Sequence, residues 1–513
     1  MPLLTSIINW FNIKRIHQID LFKQYPVDVQ RDTLFDLLNK AKNTEWGKKY
    51  NFAGINSIRQ FQEKLPIQNY DDVKPYIDRL REGQQNLLWP SEIKWFAKSS
   101  GTTNDKSKFI PVSKEALEDC HFRGGKDNLA IYTNNYPDSG IFKGKGLTLG
   151  GSHKIDNFSN ESYYGDLSAI LIENLPFWVE FIKTPSQKIA LMDKWEEKLE
   201  AVSEATIKEN VTNIAGVPSW MMVLINYILE KTGKSNLLEI WPNLELFNHG
   251  GISFIPYREQ FKKLIPSENM HYMESYNASE GFFAIQDDPK HDDMLLMLDY
   301  GIFYEFIPFE QWGQPNPKAH TLENVKKNEN YVIVISTNGG LWRYVIGDTV
   351  KFTSTFPHKI KITGRTKHYI NTFGEEVIID NAEKALKIAC NKTKAIIKDY
   401  TAGPVFMEDG KKGCHEWVIE FEKVPESLGY FTSALDHALM SANSDYEAKR
   451  YKSITLNTPI VNSVKTNTFY EWMKQKGKLG GQNKVPRLAN SREYIEQLLA
   501  INKTLEQKPT SPS

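Results

Sequence analysis

One stretch of the chain, residues 331–352, constrains the fold more than any other. It reads YVIVISTNGGLWRYVIGDTVKF, in which Asn338-Gly339 stands between a β-branched run and an aromatic run. An Asn-Gly pair between two apolar runs is the strongest short-range signal for a β-hairpin, because both residues tolerate the positive φ of a tight turn. The sequence predicts a hairpin here that ends near Gly347-Asp348.

Helical and strand-like patterns alternate through the rest of the chain. The first ninety residues carry helical patterns such as residues 29–42, and later runs bounded by glycine, such as residues 211–216, alternate with helices. Further on, helices surround a strand-like run at residues 416–422. The sequence therefore predicts an α/β (α+β) protein with a large N-terminal domain, residues 1–366, that contains mixed sheets and a β-rich part. A smaller α+β domain, residues 367–513, is expected to close over the site.

The composition excludes several classes of protein. The 63 Lys and Arg balance the 63 Asp and Glu, so no net charge attracts nucleic acid or an anionic membrane. No apolar run reaches the roughly 20 residues that span a bilayer, and no signal peptide is recognisable at the N-terminus. Three widely spaced cysteines argue against a disulfide framework or a zinc site. We expect a cytoplasmic protein without nucleic-acid or membrane partners, and a monomer, because nothing demands assembly.

The most unusual stretch is SSGTTNDKSK, residues 99–108. Hydroxyls and backbone N–H groups in such a run can hydrogen-bond to an anion, and Lys106 and Lys108 can neutralise its charge. The spacing differs from the GxxxxGK[ST] pattern of the P-loop, so a Walker-type nucleotidase is not indicated. A solvated turn that caps a helix is the alternative for this run taken alone.

A second polar cluster, YNASE at residues 276–280, follows a predicted strand. Tyr276 offers an aromatic face, Ser279 a hydroxyl, and Glu280 a carboxylate that can hold Mg²⁺ together with phosphate oxygens. The alternative is a helix start, with Ser279 as the N-cap and Glu280 in the first turn.

A third cluster, RYVIGD at residues 343–348, ends the predicted hairpin strand in a carboxylate. The Asp348 carboxylate can accept hydrogen bonds from both hydroxyls of a ribose. A surface Gly-Asp turn is the alternative. A phosphate loop, a magnesium ligand and a ribose acceptor together are what a site that activates a substrate with ATP requires.

In this order, the three clusters resemble the motifs SSGTTxGxxK, YxxSE and YxxGD of the acyl-acid amido synthetases. These enzymes form the auxin-responsive Gretchen-Hagen family within the acyl-adenylate-forming superfamily, which includes firefly luciferase. Gly364-Arg365, NTFGE at residues 371–375 and QNKVPR at residues 482–487 extend the resemblance to most of the chain. The chain departs from the family at Asp105, which replaces the usual glycine and adds a negative charge and a Cβ to the phosphate loop.

The resemblance implies a reaction in two steps. ATP and a carboxylic acid form an acyl-adenylate and release pyrophosphate, and the amine of an amino acid then attacks the acyl carbon to give an amide and AMP. ATP and Mg²⁺ are the implied cofactors, and a small carboxylic acid and an amino acid are the implied substrates. Rotation of the smaller domain about residues 364–372 would let one site serve both steps.

The resemblance also implies a role for each motif residue. The catalytic groups would be Lys108, which offsets phosphate charge, Glu280, which holds Mg²⁺, and Lys484, which reaches in from the smaller domain. Asp348 would bind the ribose, and Tyr276 would bind the adenine or the acyl group. Arg365 would make a second contact with the nucleotide. The full set of implied ATP-binding residues is Ser99, Ser100, Gly101, Thr102, Thr103, Tyr276, Ser279, Asp348 and Arg365.

The acyl group is expected to bind between a predicted helix that carries Trp220 and Met221 and the turn that begins at Phe247. Acyl pockets are mostly apolar, so plain core packing is the alternative for each of these side chains. His121 and Arg123, on the helix predicted after the first motif, are candidates to receive the carboxylate of the acid. A lone histidine on a helix is more often structural.

Two other functions remain open at this point. A ligase that passes the adenylated acyl group to a thiol such as coenzyme A needs the same adenylation motifs, so only the acceptor distinguishes it. A nucleotide-binding protein that kept the scaffold and lost turnover is the second alternative, and Asp105 favours it. The presence of every charged group that the mechanism requires, Lys484 included, argues against this second alternative.

Overall fold

The structure is a computed structural model. It describes residues 2–99, 108–149, 156–157, 162–192, 194–252, 254, 257–366, 369–407, 411–451, 455–476 and 485–507. Within these ranges, no helix is both long enough and apolar enough to cross a membrane.

Helices fill the N-terminal part, connect the strands in the middle of the chain and return in the C-terminal part. They are α1 (Pro2–Gln24), α2 (Pro26–Ala41), α3 (Glu45–Lys49), α4 (Ile58–Lys64), α5 (Tyr70–Arg81), α6 (Phe122–Asn135), α7 (Leu167–Glu173), α8 (Gln187–Ala190), α9 (Trp195–Thr206), α10 (Pro218–Thr232), α11 (Arg258–Leu264), α12 (Ile379–Thr393), α13 (Leu428–Ala442), α14 (Ser444–Arg450), α15 (Thr468–Gln475) and α16 (Glu493–Gln507). A π-helical segment, Ala116–His121, leads directly into α6. The helix predicted at residues 29–42 is confirmed as α2.

Strands begin after the N-terminal helices. They are β1 (Trp95–Ser99), β2 (Lys108–Val112), β3 (Lys145–Thr148), β4 (Asp156–Asn157), β5 (Tyr163–Gly165), β6 (Lys183–Thr184), β7 (Val211–Gly216), β8 (Leu246–Gly250), β9 (His271–Ala278), β10 (Gly281–Ile285), β11 (Met294–Leu296), β12 (Ile302–Pro308), β13 (Asn330–Thr337), β14 (Tyr344–Thr355), β15 (His358–Arg365), β16 (Tyr369–Ile370), β17 (Val377–Ile378), β18 (Ile396–Val405), β19 (Cys414–Lys423) and β20 (Ile460–Val464). The strands predicted at residues 211–216 and 416–422 are confirmed as β7 and β19.

The largest sheet of the described chain has the strand order β12-β13-β14-β15-β11-β10-β9-β8-β7-β3-β6. Its first half, from β12 to β9, is antiparallel, and its second half, from β9 to β6, is parallel. The helices α9, α10 and α11 form the crossovers that parallel neighbours require. Smaller sheets have the orders β2-β1-β5-β4 and β18-β19-β20, and β16 pairs with β17.

The predicted hairpin is confirmed as β13 and β14, but it does not end near Gly347-Asp348. Strand β14 continues to Thr355, because β15 pairs with it along its other edge. Gly347 takes up a φ of 98°, and the pairing of β14 with β15 shifts register after Thr349. A Gly-Asp pair that predicts a turn locally is thus accommodated as an irregularity inside a longer strand.

Two hydrophobic cores lie on opposite faces of the parallel half of the sheet. Leu246 belongs to the first core and Phe247 to the second, because neighbouring residues of a strand point to opposite faces. The second core also contains Trp417 from the C-terminal part. In addition, the Tyr257 hydroxyl donates to the Thr372 carbonyl over 2.9 Å. The C-terminal part therefore packs directly against the parallel half of the main sheet.

Candidate active site

Asp348 and Arg365 face each other across two adjacent strands. They are cross-strand partners of β14 and β15, and Arg365 Nε donates to Asp348 Oδ1 over 2.6 Å. A glycine at positive φ precedes each of them, Gly347 at 98° and Gly364 at 147°. Only glycine adopts these backbone angles without strain. The backbone conformation that orients the Asp348 and Arg365 side chains therefore depends on these two glycines.

Tyr276 reaches the same carboxylate from β9. Its hydroxyl donates to Asp348 Oδ2 over 2.7 Å, and the side chain is buried. Burial raises the pKa of Tyr276 well above its ordinary value, and the negative charge of Asp348 adds to the effect. Both oxygens of Asp348 are thus oriented by one donor each. A carboxylate offers about four lone-pair sites, so it retains the capacity to accept hydrogen bonds from a ligand.

Glu280 lies in the turn between β9 and β10, beside Ser279. The turn belongs to a β-hairpin, which excludes the alternative of a helix start at Ser279. Burial raises the pKa of Glu280, whereas the positive charges of Lys108 and Arg365 act in the opposite direction. The carboxyl of the second motif thus lies close enough to interact electrostatically with the first motif and with Arg365.

Lys108 is the first residue of β2, and it pairs directly with Ser99 at the end of β1. It is buried, and its ammonium lies 5.7 Å from the centroid of the Tyr70 ring. Ser99 and Lys108 therefore lie side by side at one point of the small sheet. This point lies within electrostatic range of Glu280.

The predicted nucleotide contact Arg365 has two further neighbours that were not predicted from the sequence. Arg365 Nη1 lies 3.6 Å from Glu376 Oε2, and the Arg365 guanidinium lies 5.2 Å from the Tyr369 ring centroid. Burial alone would lower the pKa of Arg365, but the carboxylates of Asp348 and Glu376 raise it well above the ordinary value. Glu376 has a φ of 37°, which is unusual for a residue with a side chain and could not be predicted from local propensity.

Arg343, which precedes the third motif, has a role in the fold. Its guanidinium donates to both oxygens of Glu305, over 2.9 Å each, and to the backbone carbonyls of Gln62 and Leu65. It ties the N-terminal helical layer to the antiparallel half of the main sheet.

The three apolar residues predicted for the acyl pocket are not brought together as one surface. Met221 and Phe247 are fully buried in the second core, where Phe247 stacks on Phe261 with 4.8 Å between ring centroids. Trp220 is partly exposed, and the Lys449 ammonium lies 4.0 Å from its ring centroid. Core packing, the alternative from the sequence, describes Met221 and Phe247, because an apolar helix pattern does not distinguish a core from a pocket.

Arg123 lies away from the motif residues. It donates to the Asp299 carbonyl over 2.8 Å and lines a cavity of about 270 Å³ that also involves Asp36 and Lys40. His121 is buried, and burial lowers its pKa to about 4. The structure therefore does not bring Arg123 together with Asp348 or Glu280.

Models of the three domains of one protein family match this chain. The GH3 family N-terminal domain matches residues 15–270, the central domain residues 295–365 and the C-terminal domain residues 380–493. The chain belongs to the GH3 family. This membership confirms the family predicted from the three motifs.

Individual GH3 proteins share low identity with this chain over much of its length. The indole-3-acetic acid-amido synthetase GH3.4 of Arabidopsis thaliana is 26% identical over 408 residues, which cover 66% of this chain and 67% of that protein. The jasmonoyl-L-amino acid synthetase GH3.5 of Oryza sativa subsp. japonica is 24% identical and covers 95% of this chain and 97% of its own length.

A solved GH3 structure has the same fold. The AtGH3.15 acyl acid amido synthetase in complex with 2,4-DB superimposes with a TM-score of 0.59 at 17% identity, and the match covers 92% of this chain and 93% of that one. The likeness confirms the mixed α/β fold with a large N-terminal part and a smaller C-terminal part.

Some of the residues predicted for GH3 chemistry lie outside the described residues. They are Ser100, Gly101, Thr102, Thr103 and Lys484, together with Asp105. Ser99 is described only by its backbone position at the end of β1. The roles assigned to these residues stay predictions. In the described ranges, no group of three or more His, Cys, Asp or Glu side chains forms a metal cluster.

Proposed function

We propose that this GH3 protein is an ATP-dependent acyl-acid amido synthetase. It adenylates a carboxylic acid with release of pyrophosphate and then joins the acyl group to the amine of an amino acid with release of AMP. The observation that carries the proposal is the contact of Asp348 with Tyr276 and Arg365, which joins the second and third motifs. The amido synthetases among its relatives act on different acids, so the family alone does not name the acid.

In the first step, an acid carboxylate attacks the α-phosphorus of ATP, and repulsion between anions opposes this attack. Lys108 and Arg365 supply positive charge in a largely buried site, where charge stabilisation is strongest. Asp348 accepts hydrogen bonds from the ribose hydroxyls while Tyr276 and Arg365 hold its orientation. Such fixed donors and acceptors need no reorganisation during the reaction.

Magnesium fits the chemistry of Glu280. Mg²⁺ is usually bound by one or two carboxylates together with substrate phosphates. Glu280 is the carboxyl that fits this role, because the positive charges of Lys108 and Arg365 favour its ionised form, although burial raises its pKa. Mg²⁺ would neutralise phosphate charge there and favour the ionised form of Glu280.

On the basis of the family resemblance, we assign the second step to the smaller domain. Lys484 would enter the site from this domain, and residues 364–372 would act as the hinge between domains 1–366 and 367–513. In support, Arg365 within this hinge contacts Glu376, which lies in the proposed smaller domain. We further propose that the protein works as a monomer in the cytoplasm on small molecules alone.

The test of the proposed function is ATP–pyrophosphate exchange by the purified full chain with Mg²⁺ and a panel of aryl, indolyl and fatty acids, in the absence of amine. Exchange that depends on the acid is the expected result. Each of the twenty amino acids and coenzyme A are then offered as acceptors, and amide formation with an amino acid is expected. Thioester formation alone would assign the protein to the thiol ligases, and ATP binding without any exchange would make it a binding protein.

A further inference from the structure

A buried pair of polar side chains, Glu375 and His415, lies outside the steps of the proposed reaction. Glu375 Oε1 lies 2.8 Å from His415 Nε2, and both side chains are 0% exposed. Burying two ionisable groups is costly, so such a pair requires an explanation. Glu375 is the last residue of the NTFGE motif. The pair therefore connects this motif to the core of the C-terminal part.

His415 acts on this motif as a hydrogen-bond donor. The other carboxylate oxygen, Glu375 Oε2, accepts the Phe373 backbone N–H over 2.6 Å. We assign the imidazole N–H to Nε2, because a carboxylate oxygen accepts hydrogen bonds. His415 Nδ1 has no hydrogen-bond partner within the described ranges. The influence of His415 on the motif thus passes through one bond, from Nε2 to Glu375.

The position of His415 is fixed by the sheet that carries it. His415 lies on β19, the middle strand between β18 and β20, and it pairs with Pro404 of β18. Two residues earlier, a Cβ at Gly413 would overlap the Phe373 ring, so this ring packs directly on the backbone. This segment of the chain therefore contacts the NTFGE motif at two places, Gly413 and His415.

The backbone on either side of Glu375 has unusual angles. Gly374 has a φ of 87°, and Glu376 has a φ of 37°. A residue with a side chain is strained at such an angle and keeps it only where its surroundings enforce it. The Glu376 N–H donates to Asn371 Oδ1 over 3.2 Å, and the buried Glu375 side chain fixes the residue between the two positive angles. The conformation of residues 371–376 thus depends on Glu375.

The strained residue is the one that reaches the proposed nucleotide site. Glu376 Oε2 lies 3.6 Å from Arg365 Nη1, and Arg365 Nε donates to Asp348 Oδ1 over 2.6 Å. Strain tends to occur at functional sites, where a particular orientation of a side chain is required. A continuous series of contacts therefore runs from His415 through Glu375 and Glu376 to Arg365 and Asp348.

We propose that His415 is a positioning residue for ATP. It fixes Glu375, and Glu375 keeps Glu376 in the strained conformation that contacts Arg365. Arg365 in turn keeps Asp348 oriented toward the ribose. This inference rests on the proposed function, and it adds to the nucleotide site a residue that none of the three motifs contains.

The test measures ATP binding to the full chain with Mg²⁺ by isothermal titration calorimetry, which reports the Kd and the binding-competent fraction separately. The variants are His415→Met and His415→Gln, because their side chains have similar shapes and only glutamine ends in an N–H donor. We expect His415→Met to raise the Kd for ATP about threefold to tenfold, the range for residues that act on a site through others. His415→Gln should restore the Kd of the wild type.

A role of His415 in folding alone gives a different result. It lowers the binding-competent fraction and leaves the Kd of the folded molecules unchanged. His437→Met is the control, because His437 is exposed on α13 and contacts the backbone carbonyl of Ser433. Its Kd should match that of the wild type. An unchanged Kd in His415→Met, or equal rises in His415→Met and His415→Gln, overturns the positioning role.

The route through Glu376 is tested by a double-mutant cycle. Glu376→Gln removes the negative charge beside Arg365. If His415 acts through Glu376, the double variant His415→Met/Glu376→Gln should have the same Kd as Glu376→Gln alone. Independent effects that multiply in the double variant contradict this route.

Pyrophosphate exchange by the wild type separates this inference from the proposed function. ATP binding without exchange overturns the proposed function, whereas the comparison of Kd values still decides the role of His415. Absence of ATP binding in the wild type overturns both.

Discussion

Asp348 is the residue on which the proposed nucleotide site depends most, because Tyr276 and Arg365 both bind its carboxylate. Asp348→Ala removes the ribose acceptor and leaves the Arg365 guanidinium without its closest anion. We expect the acid-dependent exchange rate to fall about 100-fold or more, the scale of losing one preorganised charged group. Asp292→Ala is the control, because Asp292 is 68% exposed and pairs only with Lys361 among the ion pairs of the described chain. Equal losses in both variants would contradict the assignment.

Glu274 gives a prediction for stability against pH. Burial raises its pKa to about 7, with a contribution from Asp292 and with Arg258 and Lys361 opposing the rise. The folded protein therefore holds this proton more tightly than the unfolded chain, and the stabilisation is complete at low pH and lost as the pH rises through about 7.

We expect the free energy of unfolding of the wild type, relative to Glu274→Gln, to fall by about 1–3 kcal/mol between roughly pH 4 and pH 8. Urea unfolding at a series of pH values measures this difference. The exposed residue Glu268 provides the control variant Glu268→Gln, for which the difference should stay flat. A flat difference for Glu274→Gln as well would show that its pKa is ordinary.

Short motifs predicted the residues that meet at Asp348, because such a site requires particular chemical groups at short spacings. Glu376 and Tyr369 could not be predicted in this way, since they reach Arg365 only through the fold of the segment that follows β15. Met221 and Phe247 show a second limit of prediction from the sequence. Their apolar pattern is the same in a core and in a pocket, and only the tertiary structure places them in the core.

At the scale of elements, β9 brings the second motif to the third. The Tyr276 hydroxyl is the link, and hydrogen bonds to charged groups contribute about 1.5–3 kcal/mol. Tyr276→Phe should therefore raise the KM for ATP about tenfold or more and change kcat less. Tyr272→Phe on the same strand is a matched control, because the Tyr272 hydroxyl is buried and has no hydrogen-bond partner among the residues that the structure describes. Steady-state exchange kinetics measure both, and an unchanged KM in Tyr276→Phe would place the nucleotide elsewhere.

Helices and strands were predictable where the hydrophobic pattern was long or where residues typical of element ends flanked it. Helix α10 begins with Pro218 and is followed by Gly233 at a φ of 66°, the two signals that mark helix ends. The continuation of β14 past Asp348 was not predictable, because its hydrogen bonds go to β15, and local propensity at a Gly-Asp pair contains no information about a partner strand.

At the scale of the whole molecule, the C-terminal part is held by contacts that can be tested. Lys449 of α14 lies over the Trp220 ring of α10, and Arg365 contacts Glu376. The proposed rotation would switch the site from the first reaction step to the second. A bis-maleimide cross-link in the double variant Trp220→Cys/Lys449→Cys should then preserve one half-reaction and slow the other about tenfold or more.

The double variant without the cross-link is the control, because it carries the same substitutions and remains free to rotate. Pyrophosphate exchange measures the first half-reaction, and amide formation from supplied acyl-adenylate measures the second. Both half-reactions at control rates in the cross-linked protein would exclude rotation as a requirement. The shared second core behind these contacts was not predictable from the sequence, since it joins residues as distant as Met221 and Trp417.

The Arg365 guanidinium has a carboxylate on either side, Asp348 in the proposed nucleotide site and Glu376 in the C-terminal part. A ribose at Asp348 and a movement of Glu376 both alter the surroundings of one positive charge. Thermodynamic linkage then requires reciprocity: by whatever factor one arrangement of the two parts strengthens ATP binding, bound ATP favours that arrangement by the same factor. If the proposed rotation moves Glu376 and the nucleotide binds at Asp348, saturation with ATP and the orientation of the C-terminal part are coupled variables, and neither can be set without biasing the other.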